Sequence, residues 1–223
     1  MDITNSVAVV TGANRGLGRH LAAQLLERGA KVYAGARSVD TIDLPGAIPL
    51  HIDITDPASV EQAAKIAADA TLLINNAGTS LGQPLIGGDL DLIRREMETH
   101  YFGTLGVTRA FAPVIEANGG GAILNVLSVL SWWHPAQAGA YSAAKAAGWA
   151  MTRAVRDELA PRGIEVAALH VGYMDTDMAA HVPADQKTAP AVVARLALDG
   201  LAEGNPEILA DDVTRSVKAG LGS

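Results

Sequence analysis

No cysteine occurs in this chain. Its absence excludes disulfides and thiolate metal sites and fits a reducing compartment. Histidine gives no support for a metal either, because His20, His51, His100, His134, His170 and His181 show no short ligand spacing. No Lys/Arg-rich run appears and the formal net charge is −7, so nucleic acid is not expected as a partner. No uncharged apolar stretch reaches the roughly 18 residues of a membrane span. The N-terminus, Met-Asp-Ile-Thr-Asn, has no basic segment followed by an apolar one. On this pattern a soluble, cytoplasmic protein with no membrane partner is expected.

What is present is material for a core. Of 223 residues 49% are hydrophobic, with no long polar tract and no evident repeat, so residues 1–223 are expected to form a single domain. Twenty-three glycines and many alanines suit an α/β protein in which helices pack closely on a sheet.

One stretch organises the rest. Ser128 follows Ala122–Leu127, which reads as a buried strand, and Tyr141 and Lys145 stand four apart in an alanine-rich helical run. That spacing puts both side chains on one helix face, about 5–6 Å apart at Cβ. A free tyrosine has a pKa of about 10, and a nearby cation lowers it by stabilising the phenolate. Lys145 is placed to do this, while Ser128 can donate a hydrogen bond to an oxygen gaining negative charge. Alone, the pair is equally an amphipathic tyrosine beside a solvated lysine.

Other motifs accompany it. Val7–Thr11 reads as a buried strand, and Gly12-Ala-Asn-Arg-Gly-Leu-Gly18 leads into a helix that stops at Gly29. Glycines between strand and helix let backbone approach a pyrophosphate, whose charge meets free N–H groups at the helix start. After the second strand, Lys31–Ala36, the acid that would bind an NAD ribose is missing, and Arg37 follows instead. Arg15 and Arg37 can clamp the 2′-phosphate of NADP; otherwise they are solvated surface arginines. Further on stand Asn75-Asn-Ala-Gly78 and Gly172-x3-Thr176.

Together, from Val7 to about Leu221, these motifs resemble the short-chain dehydrogenase/reductase family of classical type. The resemblance implies that Ser128, Tyr141 and Lys145 are catalytic. It implies an NADP(H) site built from Gly12, Asn14, Arg15, Gly16, Leu17, Gly18, Arg37, Asp53, Ile54, Asn76, Ala77, Gly78, Tyr141, Lys145, Gly172, Met174 and Thr176. Asp53 would meet the adenine amino group, or is otherwise an ordinary strand-end acid, and Thr176 would meet the nicotinamide carboxamide. Where the family carries an asparagine that helps hold a water linking the lysine to solvent, this chain has His100; it is read either as a proton-handling catalytic residue or as a packed helical histidine. Val171 replaces a family proline. The small residues Ala146–Ala150 fall where the family commonly forms a subunit interface, which implies a homodimer or homotetramer.

The remaining pattern supplies strands at Pro49–Asp53, Thr71–Asn75, Gly163–His170 and Pro206–Ala210. Helices are expected from Asp56-Pro57, over Asp89–Ile115, from near Thr188 and from Asp211. Strands alternating with helices specify a doubly wound, seven-stranded parallel sheet, Rossmann-like, with ligands at the carboxyl ends of the strands. The expected activity is hydride transfer between NADPH and a carbonyl or alcohol substrate. Leu127, Leu130, Trp132, Trp133, His134 and Tyr173 flank the reaction centre and point to an apolar or aromatic ketone or aldehyde, although either tryptophan can instead support the core. Two other readings are a nucleotide-binding sensor or scaffold with weak catalysis, and an elimination or isomerisation without net hydride transfer.

Overall fold

Short apolar runs free of charge, such as Val-Ala-Val-Val-Thr and Leu-Leu-Ile-Asn, set the strands, and their length marks them as buried on both faces. In the computed structural model, residues 1–221 are described. They contain β1 (Val7–Thr11), α1 (Gly16–Glu27), β2 (Lys31–Ala36), β3 (Ile48–His51), α2 (Pro57–Ile66), β4 (Leu72–Asn75), α3 (Leu90–Met97), α4 (Thr104–Ala117), β5 (Gly121–Val126), α5 (Gly139–Leu159), β6 (Ile164–His170), α6 (Pro190–Ala202), β7 (Glu207–Leu209) and α7 (Asp212–Gly220). The strands form one seven-stranded sheet in the order β3-β2-β1-β4-β5-β6-β7, all parallel.

Side-chain alternation along the strands divides the core in two. Ala8 and Val10 of β1 pack with Leu21 and Leu25 of α1 and with Val193 and Leu198 of α6. Val9, between them, points the other way, into a layer with Val60 of α2, Phe111 and Ile115 of α4 and Leu159 of α5. The direction in which successive strands are added reverses between β1 and β4, opening a crevice beyond their carboxyl ends. Among the described residues no helix is long and apolar enough to cross a membrane.

Local signals place several boundaries. Asp56 caps α2 by accepting from Ala58 N–H, with Pro57 at the first helical position, where its missing N–H costs nothing. Asp89 caps α3 through the N–H groups of Asp91 and Leu92. The single helix expected over Asp89–Ile115 is instead α3 and α4 joined by a π-helical turn, Glu98–Gly103. The wider turn passes close to the segment after β3: a Cβ on Gly103 would stand 3.0 Å from Ile54 O. Near Thr188 the chain makes an isolated parallel bridge to Met174, and α6 begins only at Pro190. The third strand ends at His51, leaving Asp53 beyond it.

A buried polar ladder ties the centre of the sheet to helices. Asn75 Nδ2 donates to Thr108 Oγ1 on α4 (3.1 Å) and to Asn125 Oδ1 on β5 (2.8 Å). Asn125 Nδ2 donates to Thr152 Oγ1 on α5 (2.9 Å), which donates to Gly148 O (2.7 Å). Replacing Thr152 by Val preserves shape but leaves the Asn125 amide unpaired in the interior. We expect Thr152→Val to lose about 1–3 kcal/mol of stability in urea denaturation; a loss below about 0.5 kcal/mol would show that the ladder does not support the fold.

Candidate active site

The cradle for a dinucleotide is made where backbone meets backbone. Gly12 and Gly16 have φ of +66° and +53°, a region that L side chains rarely adopt. A Cβ on Gly18 would fall 2.1 Å from Gly12 O and 2.4 Å from Asn76 Nδ2, and one on Gly16 would lie 3.3 Å from Thr176 Cγ2. α1 starts here with Arg15 as an N-cap that makes no side-chain cap, and with no acid in its first turn. Its first N–H groups are therefore available to an anion. This bare, uncapped helix start fits a pyrophosphate.

The other cofactor candidates gather around it. Asn76 spends its amide on the loop itself, with Nδ2 donating to Thr11 O (2.9 Å) and Gly12 O (3.2 Å). Its side chain thus supports the cradle. Thr11 Oγ1 accepts from the N–H groups of Asn76 and Ala77, 3.0 Å each. Arg15 is exposed, with Nη1 3.5 Å from Asp177 Oδ2, a contact worth little in water. Arg37 is exposed just past β2. Asp53 lies within reach of its charge: burial alone would raise this carboxyl, but Thr55 N–H and Oγ1 donation, with Arg37, hold it below its ordinary value. Ile54 contributes the backbone that Gly103 passes. Leu17 is buried beneath α1, and Asn14 stays half-exposed in the loop.

At the far side, Gly172 N–H donates to Asp211 Oδ2 (2.6 Å), whose Oδ1 accepts from Thr214 N–H (2.7 Å). One carboxylate caps α7 and pins the Gly172 turn. From there Met174 bridges to Thr188, Asp175 N–H donates to Thr188 O, and Lys187 Nζ donates to Asp175 Oδ1 (2.7 Å). The excursion from Thr176 to Lys187 is closed at its neck.

Ser128, Tyr141 and Lys145 converge beyond β5. Ser128 is buried, its Oγ accepts from Leu130 N–H (3.1 Å), and its hydroxyl acts on Tyr141 in the direction that favours the phenolate. Lys145 Nζ stands 5.5 Å from the Tyr141 ring centroid and donates to Val126 O (2.9 Å). Lys145 was expected to lower the Tyr141 pKa, yet burial and the Glu96 charge together push the phenol above its ordinary value, and the Ser128 hydrogen bond only opposes them. Burial also brings the Lys145 ammonium down to about 8, with Glu96 acting to retain its charge. Tyr141 is thus held as a protonated phenol.

His100 joins this group. Its ring meets Tyr141 edge-on, with centroids 5.0 Å apart, and Nε2 lies 2.7 Å from Thr79 O. A Cβ on Gly78 would fall 2.7 Å from His100 Cε1, so the Gly78 position admits this imidazole. Burial and the Lys145 charge hold its pKa below the ordinary value despite Glu96. Glu96 itself, fully buried, did not stand out in the sequence reading. Its signal was the four-residue spacing to His100 on one helical face. Asp211 was read only as a helix start; its contact with Gly172 spans 39 positions and leaves no local trace.

The proposed substrate wall is only partly assembled. Trp133, His134 and Tyr173 are exposed and Leu130 is half-buried. Leu127 is buried instead, with Cδ2 3.3 Å from where a Cβ on Gly148 would be, which places it against α5. Trp132 is also buried. It stacks on His170 at 3.9 Å, meets Trp149 edge-on and lies under Lys218 Nζ at 4.6 Å, so it packs its segment against α5 and α7.

Gly18→Ala is expected to weaken NADP(H) binding at least about tenfold by displacing Gly12 and Asn76; unchanged titration calorimetry would refute the cradle. His170 supplies a second test. Burial lowers it to about 4, so the unfolded chain takes up this proton first as pH falls below about 6.5. Stability from its neutral form is complete above that value and is lost progressively towards pH 4. The pH slope of the urea midpoint between 6.5 and 4.5 is expected to be shallower in His170→Asn; equal slopes would contradict the burial effect.

Comparison with known proteins agrees with this geometry. The profile of the family described as short chain dehydrogenase matches residues 6–187. A short chain dehydrogenase from Burkholderia cenocepacia, solved in complex with NADP, is 43% identical with a TM-score of 0.96, over 100% of this chain and 95% of that one. A 3-oxoacyl acyl-carrier-protein reductase of Vibrio cholerae is 32% identical over 85% of this chain and 82% of its own. D-erythrulose reductase of Gallus gallus is 30% identical over 94% and 85%, respectively. With its glycine cradle beside a Ser-Tyr-Lys cluster and a family match spanning most of its length, the chain belongs to the short-chain dehydrogenase/reductase family.

Proposed function

We propose that the protein is an NADPH-dependent reductase of an apolar or aromatic ketone or aldehyde. The observation that carries this reading is a Tyr141 phenol kept protonated beside Ser128 and Lys145, next to a bare glycine cradle. A loaded phenol is the state that can give a proton to a carbonyl oxygen. NADPH would be held by the Gly12–Gly18 loop, Thr176 and the backbone of Ala77, and when bound it supplies the hydride. Support for the phosphorylated cofactor comes from Ala36 at the end of β2, where an NAD site carries an acid, from Arg15 and Arg37, and from the NADP complex of the Burkholderia cenocepacia relative.

The roles divide by chemistry. Ser128 donates a hydrogen bond to the substrate oxygen, Tyr141 delivers the proton and the Lys145 charge offsets the negative charge left behind. Trp133 and Tyr173, both exposed, offer aromatic surface to an uncharged substrate. Two relatives whose names describe carbonyl reduction favour the reductive direction. A cytoplasmic homodimer or homotetramer belongs to the same proposal: the small-residue run of α5 leaves Ala143 and Ala150 exposed.

The test is the initial rate of NADPH oxidation across a panel of aliphatic and aromatic carbonyl compounds, with NADH in parallel. We expect oxidation with NADPH in preference to NADH, and a loss of about 100-fold or more in Tyr141→Phe with NADPH affinity retained. Equal turnover in Tyr141→Phe would overturn the assignment of the phenol.

A further inference from the structure

A carboxyl group lies in the interior beside the catalytic cluster, and the reaction as described leaves it without a task. Glu96 has no exposed surface. Its Oε1 accepts from Leu81 N–H (2.6 Å), while Oε2, also buried, makes no well-formed hydrogen bond among the described residues and faces His100 Nε2 at 3.3 Å. An unsatisfied carboxylate oxygen in the interior is costly unless neighbouring charge compensates it. The nearby cation is Lys145, itself buried and hydrogen-bonded to a neutral carbonyl, Val126 O.

The imidazole lies between Glu96 and Tyr141. Nε2 stands 2.7 Å from Thr79 O and 3.3 Å from Glu96 Oε2, with Thr79 N–H farther off at 3.4 Å; the short approach to a carbonyl oxygen assigns the hydrogen to Nε2 and leaves Nδ1 as the acceptor of the neutral ring. Glu96 and Thr79 together fix the tautomer and the tilt that sets the ring edge against Tyr141. The other charged groups around α3, Asp91, Arg94, Arg95 and Glu98, are exposed to water. The titratable groups facing this interior are Tyr141 and Lys145 from α5, His100 from the π-helical turn, Tyr173 after β6 and, through Lys145, His170 at the end of β6.

We propose that Glu96 is a positioning residue of the active site: its buried carboxylate orients His100, serves as the counter-charge of Lys145 and so sets the pH range over which Tyr141 delivers its proton. The inference rests on the reductase reading for its catalytic consequence, while the interior contact of Glu96 with His100, and of His100 with Tyr141, stands on the geometry alone. The direction is fixed by sign. A negative charge here favours the protonated form of every neighbour, keeping the Lys145 ammonium charged against desolvation and the Tyr141 phenol loaded. Without it, all three neighbouring groups release their protons at lower pH.

Glu96→Gln tests this, because the amide oxygen still accepts from Leu81 N–H while the charge is gone. Glu96→Asp is the charge-retaining control. In the cofactor-free protein, carbon-13 NMR of the Lys145 ε-carbon, assigned with Lys145→Arg, should show a titration midpoint about one pH unit lower in Glu96→Gln and close to the parent in Glu96→Asp. In the assay, the alkaline limb of the kcat/KM profile for carbonyl reduction should move down by a similar amount in Glu96→Gln. Equal Lys145 midpoints in the parent and Glu96→Gln would overturn the proposal, as would an unmoved kinetic limb in an active parent enzyme. If the NMR midpoint moves while the parent shows no Tyr141-dependent reduction, the electrostatic role of Glu96 is supported and the reductase reading fails.

Discussion

Backbone has to touch backbone where the glycine loop crosses the end of β4, and much of the site follows from that contact. Gly18 admits no side chain because Gly12 O and the Asn76 amide occupy the space. The same amide then ties Thr11 and Gly12 to the Asn75–Gly78 stretch. Thr11 returns the connection by taking two N–H groups with one hydroxyl. Parallel strands ending in the interior leave donors and acceptors that water cannot reach. Here two adjacent asparagines meet that demand in different directions: Asn76 towards the loop, Asn75 towards β5 and α4. A rigid floor under the cofactor site and a rigid centre of the sheet are therefore parts of the same solution.

On that floor the chain concentrates groups that would be charged in water. A lysine, a tyrosine, a histidine and a glutamate share an interior from which solvent is largely removed, and desolvation sets the direction of the tyrosine, lysine and histidine shifts. Low dielectric makes each neighbour count for more. The sequence-based expectation treated Tyr141 and Lys145 as a pair, in which a cation acidifies a phenol. In the folded chain Lys145 is directed to Val126 O, and burial together with Glu96 prevails. That outcome depends on which groups are excluded from water, which the spacing of two residues along a helix does not reveal.

The legible parts of the sequence were those with local causes. Glycine punctuation gave α1 its start and its stop at Gly29, whose φ is +90°. Asp56-Pro57 marked α2, and apolar runs placed the strands to within a residue or two. The π-helical turn was not legible, since Glu98–Gly103 is too short to display the wider period of i→i+5 bonding within a longer helical pattern. The two tryptophans could not be told apart either: Trp132 and Trp133 are adjacent, yet one is stacked between His170 and Lys218 and the other is half in solvent. Glu96 and Asp211 owe their roles to partners that only the fold brings near.

The closed neck between Met174–Asp175 and Thr188 separates two tasks along the chain. Below it, the Gly172 turn is fixed by Asp211 and belongs to the cofactor floor. Above it, the excursion from Thr176 to Lys187 is held by its ends through the strand-like bridge and the Lys187–Asp175 pair. Between the clamped ends the chain still meets the scaffold, at Thr176 against Gly16, at Asp177 beside Arg15 and at the buried Ala179 and Val182, while doubling a loop's length costs only about 0.6 kcal/mol in closure entropy. The neck thus leaves the exposed positions 180–181 and 183–186 as the interchangeable part of the segment: a longer or more aromatic insert can be exchanged there to alter which molecules enter the cleft while Thr176 and the machinery underneath keep their shape.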